Sequence, residues 1–172
     1  MSLERLWNGW RSDYVRGFNE GERNEPGQSV FSRILRSGAS DEGAHIVHRG
    51  VTCFVILNAF PYSTGHMLVL PYREVPDLED LAADEAHELW DTVTQAVSAV
   101  KRSHQPHALN VGINLGAPAG GSIAQHLHVH VVPRWEGDAN FMTAVANTRT
   151  LPEPLEDTAA RIRAAWTQKG TA

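Results

Sequence analysis

The feature that most constrains this 172-residue chain is the run His126-Leu127-His128-Val129-His130-Val131-Val132-Pro133. Histidine alternates with apolar residues, and strict alternation marks a strand on which positions i, i+2 and i+4 share one face. The pattern predicts a strand over 125–133, with His126, His128 and His130 in a row and Leu127, Val129 and Val131 turned into a core. Three imidazoles side by side make poor structural filler, because each buries badly without a partner and a protonated one repels the next. Two chemistries use such a row. Three neutral nitrogens can hold zinc with a position left open for water. Alternatively, one imidazole is a nucleophile while the others orient it and handle protons. An incidental polar face is the third and plainest reading.

The loop before the row, Gly116-Ala117-Pro118-Ala119-Gly120-Gly121-Ser122, is rich in glycine. Glycines let backbone amides close in on an anion. A phosphate cradle opening onto a histidine row favours phosphorus chemistry over zinc-bound water. Leu109, Val111, Ile113 and Leu115 alternate with Asn110, Gly112 and Asn114, which predicts a strand just ahead of that loop. A short connection favours antiparallel neighbours, and Asn114 is then expected on the histidine face.

Residues 126–132 fit the motif His-φ-His-φ-His-φ-φ, with φ apolar, at every position. Matching residues continue through Asn58, Pro61, Gly65-His66 and Asn114-Leu115-Gly116, and through Pro133-Arg134-Trp135-Glu136-Gly137-Asp138-Ala139-Asn140-Phe141-Met142. On these residues the chain resembles the histidine triad (HIT) superfamily of nucleotide hydrolases and transferases. The last run is similar to the diadenosine tetraphosphate phosphorylase branch of actinobacteria.

The resemblance implies an enzyme in which His128 is the nucleophile and carries a nucleotidyl-phosphoramidate. It gives His126 and His130 the task of binding and polarising phosphate oxygens, and His66 a hydrogen bond within the triad. Asn58 matches a ribose-contacting position, although an isolated loop Asn is by default a turn residue. Asn114, Gly121 and Ser122 are the expected α-phosphate binders. Ser122 stands where many family hydrolases have Gln, as it does in the phosphorylases. Gln125 replaces a Glu common in those phosphorylases, and Trp135 is expected either to stack near the polyphosphate or to pack a subunit interface. The implied reaction converts diadenosine tetraphosphate and phosphate to ATP and ADP. The alternatives are a hydrolase that uses water and releases AMP, and a non-catalytic nucleotide-binding module. A homodimer or homotetramer is implied as well. No cofactor is required, and magnesium accompanying the substrate phosphates is the one metal this reading admits. Many family members carry Cys-x-x-Cys as half of a structural zinc site. Here Ser29 and Ser32 occupy that region, and hydroxyls lack the strength of thiolate ligands, so no structural metal is expected.

Net charge is −5 and no basic run exceeds a pair, which argues against nucleic acid or an anionic membrane as partner. No apolar stretch approaches the ~20 residues of a membrane span. Cys53 is the single cysteine and sits in an apolar pattern, so a buried inert thiol and a cytoplasmic protein are expected.

Residues 1–28 read as an amphipathic helix (Leu3 to Tyr14) followed by a polar linker, and 29–172 as one domain closed by a C-terminal helix. Strands are expected at 45–48, 52–57 and 67–70, with a tight turn at Arg49-Gly50. A helix is expected over 84–102, with Asp84 as its cap and Trp90 on its buried stripe. The fold class is α+β: a five-stranded, mostly antiparallel sheet with helices packed on one face, the HIT-like architecture that the resemblance also implies.

Overall fold

The computed structural model describes residues 28–119, 123–138 and 152–166. The expected N-terminal helix, nearly all of its linker, and Gly121 and Ser122 lie outside these residues. Five apolar runs form the strands β1 (Ile46–Arg49), β2 (Cys53–Leu57), β3 (Met67–Pro71), β4 (Ala108–Ile113) and β5 (Val129–Arg134). Every pairing is antiparallel, in the order β1-β2-β3-β5-β4.

Strand alternation sorts the side chains into two layers. Cys53, Val55, Leu57, Met67, Val69, Val129 and Val131 face the long helix α2 (Ala83–His104) and the C-terminal helix α3 (Leu155–Ala165), forming the larger core. Cys53 is fully buried there, and burial pushes its thiol up to about 11. Phe54, Ile56, Leu68 and Leu70 face the other way, against Phe31 of the short helix α1 (Val30–Arg36). Helices therefore cover both faces, not one. Phe31 is buried on that second face with Val30, Ile34 and Leu35 half-buried beside it; residues 30–35 read as a helical turn or two, too short a run to show which face of the sheet it covers.

Within α2 the buried stripe is Glu85, Leu89, Thr92, Val93, Ala96, Ala99 and Val100. Trp90 is 47% exposed, contrary to expectation. One residue after Leu89 means a rotation of about 100°, and the stripe is too narrow to include it. Asp84 is not the cap either. The helix begins one residue earlier, after Ala82, which has no side-chain acceptor. Instead the Glu85 carboxylate accepts the Ala82 N–H at 2.8 Å and also binds Arg73 at 2.6 Å. The β1–β2 turn is shifted too, running over Gly50-Val51-Thr52-Cys53 and closed by Gly50 N–H to Cys53 O at 2.8 Å. Glu88 of α2 reaches under it and accepts from Val51 N–H, Thr52 N–H and the Thr52 hydroxyl. A Cβ at position 50 would meet the Glu88 carboxylate and lie 3.1 Å from Cys53 O, so a side chain there would displace the carboxylate that holds the turn.

Candidate active site

The histidine ladder is shorter than its pattern. Pairing begins only at Val129, opposite Val69, so His126 and His128 precede the strand. Beyond Val69 the register would set Leu70 opposite His128 and Pro71 opposite Leu127, and Pro71 has no N–H to give. Leu127 N–H goes instead to Val75 O at 2.7 Å, where the chain has already turned away from the sheet. Alternation persists regardless. Leu127, Val129 and Val131 enter the larger core, and the three histidines lie on the opposite face with Phe31. Gly112 pairs directly with His130, and nothing stands within 4 Å of where its Cβ would be. Asn114 lies one residue beyond the end of β4, two residues after Gly112.

Each imidazole has a different set of partners. His128 is buried, and its Nδ1 lies 2.8 Å from His126 O. A carbonyl can only accept, so Nδ1 carries the proton and Nε2 keeps its lone pair. Burial lowers His128 below the ordinary imidazole value, against the pull of the His126 carbonyl. This is a neutral nitrogen base held in one tautomer.

His130 is set by a chain of donors that begins at the backbone. Tyr62 N–H donates to His66 Nδ1 at 3.0 Å, so His66 is protonated on Nε2. That proton points to His130 Nδ1 at 3.0 Å. His130 therefore carries its own proton on Nε2, a buried atom with no partner among the described residues. Burial, followed by the neighbouring His128, pulls His130 down to about 4. The outcome is a neutral N–H donor beside the base, with the His128 and His130 ring centroids 5.0 Å apart.

His126 is different. It is fully buried, with Nε2 2.8 Å from Pro71 O and Nδ1 2.6 Å from Ser29 Oγ. Both nitrogens are committed to protein groups. The contact with phosphate oxygens expected of this ring is not what its surroundings offer; its backbone carbonyl serves the site.

The loop before β3 carries the remaining expected residues. Gly65 adopts φ +81°, the left-handed region open to glycine, with the Val100 and Pro133 side chains 3.2 and 3.3 Å from its Cβ position. Ser63 Oγ donates to Pro133 O at 2.5 Å, tying this loop to β5. Asn58 Oδ1 accepts from Phe60 N–H at 2.9 Å, and its amide lies 3.4 Å from His66 Nδ1, so it shapes the loop that aims His66. Arg134 is engaged by Asp138 and Asn110. Trp135 is half-buried, its backbone N–H donating to Asp138 at 3.2 Å, and Gln125 is exposed.

Sequence reasoning missed Tyr62 and Glu74, and noted Ser29 and Ser32 only as lacking the thiolates of a structural zinc site. Tyr62 is 50% exposed and lies 4.7 Å from His66 and 6.1 Å from His130, nearly parallel to the latter at 10°. It covers the donor side of the pair, and nothing in the local pattern marked it.

Residues 40–137 match the HIT domain family. The chain is 41% identical over 172 residues to AP-4-A phosphorylase from Mycobacterium tuberculosis, covering 97% of this chain and 86% of that one. It is 33% identical over 113 residues to an asymmetrical bis(5'-nucleosyl)-tetraphosphatase from Schizosaccharomyces pombe, covering 66% and 58%. A zinc-bound histidine triad family protein from Mycobacterium smegmatis superposes with a TM-score of 0.65 at 27% identity, covering 81% of this chain and 93% of that one. A histidine triad nucleotide-binding protein from Sulfolobus tokodaii superposes with a TM-score of 0.66 at 27% identity, covering 80% and 91%.

Proposed function

The chain belongs to the HIT domain family, and from that premise we propose that it is a dinucleoside polyphosphate phosphorylase. It converts diadenosine tetraphosphate and orthophosphate to ATP and ADP through a nucleotidyl-histidine intermediate. The observation that carries the reading is the tautomer of His128, whose Nδ1 proton is held by His126 O at 2.8 Å so that Nε2 is free to attack. Its neighbour His130 offers to a phosphate oxygen an Nε2–H that has no partner among the described residues.

In the first step Nε2 of His128 bonds to the α-phosphorus, and the bond to the bridging oxygen breaks, releasing ATP. The proton stays on Nδ1, where the His126 carbonyl stabilises the positive charge that the ring gains. In the second step a phosphate oxygen attacks the same phosphorus, the nitrogen–phosphorus bond breaks, and ADP leaves. Asn114, Gly121 and Ser122 bind the α-phosphate, with Asn58, Gln125 and Trp135 contributing to substrate contacts. No metal enters these steps; magnesium would travel with the polyphosphate. The enzyme acts as a homodimer or homotetramer.

Phosphate competes with water because a bound, aligned nucleophile gains effective molarity. Ser122 is a shorter residue than the Gln of hydrolases, a size difference that favours phosphate as the acceptor. The test is one reaction with diadenosine tetraphosphate, with and without millimolar phosphate, its products separated by chromatography. ADP and ATP are expected, with Ser122→Gln shifting the balance toward AMP. Mainly AMP from the wild-type enzyme at saturating phosphate would place it among the hydrolases.

A further inference from the structure

The proton on His128 depends on the carbonyl of His126, so whatever fixes His126 also bears on the nucleophile. Three segments converge there. Pro71 and Val75 supply carbonyls to the His126 ring and to Leu127 N–H. Between them, Glu74 accepts Ser29 N–H on both oxygens at 2.9 Å and the Ser32 hydroxyl at 2.6 Å. Ser29 caps α1, accepting Ser32 N–H at 3.1 Å, and its Oγ lies 2.6 Å from His126 Nδ1.

Hydrogen counting makes this chain directional. The Pro71 carbonyl requires the His126 proton on Nε2. Burial keeps His126 neutral, against the opposing influence of Pro71 and Glu74. Nδ1 is therefore an acceptor, and the one Ser29 hydroxyl hydrogen is spent on it in preference to Ser32 Oγ at 3.2 Å. The Ser32 hydrogen goes to Glu74. Ser29, Ser32 and His126 are all buried. Phe31, on the same helix, lies edge-on to His126 and tilted over His128, each at 5.5 Å.

We infer that Ser29, Ser32 and Glu74 form a positioning relay for the nucleophile. Glu74 orients the two serines, Ser29 locks the His126 ring, and the locked His126 backbone presents the carbonyl that keeps His128 in its reactive tautomer. The relay rests on the proposed role of His128 and names residues outside the reacting groups. Among the described residues it is also satisfied without a metal: each donor and acceptor in it finds another, and hydroxyls are poor zinc ligands.

Because the relay acts on a tautomer, it can be read without substrate. In nitrogen NMR of the resting enzyme, wild-type His128 should show a single tautomer, protonated on Nδ1. Ser29→Ala and Glu74→Ala should each give a mixture, and Glu74→Gln, which keeps an acceptor for Ser32, an intermediate case. In turnover, kcat should fall in the same order, by at least about tenfold for Ser29→Ala, with KM within about twofold. Folded Ser29→Ala or Glu74→Ala with a single His128 tautomer and kcat within about twofold of wild type would overturn the relay. If either alanine variant fails to fold, Glu74→Gln decides alone: unchanged tautomer and kcat refute the inference. Altered tautomers in an enzyme with no phosphorolytic activity would instead refute the proposed reaction and leave the relay standing.

Discussion

At the scale of single residues the site is a problem in proton placement. Three imidazoles sit within one fold layer, and their partners make them unlike: one base, one donor, one strut. His128→Gly or His128→Ala should lower kcat by several orders of magnitude while nucleotide affinity stays near wild type, because a covalent nucleophile has no substitute. Retention of more than roughly a hundredth of the rate, as loss of a positioning group would allow, would remove His128 from that role. His130 makes a separate prediction about stability. Its native value, about 4, lies below the ordinary 6.5. Between those two values the unfolded chain binds a proton there and the native one does not, so stability falls as pH drops from 6.5 towards 4. Above 6.5 neither form is charged and the term vanishes. Thermal melts from pH 7 to 4 should show a smaller loss of Tm for His130→Asn than for wild type, and equal losses would refute the assignment.

At the scale of elements, carboxylates join pieces that the chain leaves apart. Glu88 of α2 holds the β1–β2 turn by two backbone N–H groups and a hydroxyl. The C-terminal helix is held at its end by Arg163, which binds Ile46 O and Asp41 O at 2.9 Å, and by Trp166 stacked 4.5 Å from His48. Glu88→Ala leaves those turn donors without their acceptor and should cost about 1–3 kcal/mol in urea denaturation; Glu88→Gln should recover part of it. A loss below about 0.5 kcal/mol would mean that water replaces the carboxylate there without penalty. Period alone placed α2 and α3, because each buries a continuous stripe. The same period misplaced Trp90, since a stripe shows which side is apolar and not how wide the covering sheet is.

At the scale of the whole molecule, β4 is an edge strand among the described residues, with β5 as its neighbour. Val111 is 44% exposed on it and Leu115, just beyond, is 42% exposed. Unpaired, apolar edges invite association, which agrees with the proposed dimer or tetramer. Sedimentation velocity at micromolar concentration should give a mass at least twice that of one chain, and Val111→Glu should shift it downward. A wild-type monomer would reject the assembly and leave the site chemistry to be judged on its own.

The alternation over residues 126–132 by itself determined that three histidines share a face and that the intervening residues fill a core, since side-chain direction in an extended chain follows from covalent geometry alone. The residues that resembled a known family likewise led to the fold class and to His66, whose glycine neighbour has the positive φ only glycine takes easily. Tertiary structure alone decided what each imidazole does. Ser29 lies 97 residues from His126 and 45 from Glu74 in sequence, and Tyr62 N–H acts on His130 only through His66. A tautomer is set by which donor or acceptor stands about 3 Å away, and no local pattern encodes a neighbour that the chain must fold to reach.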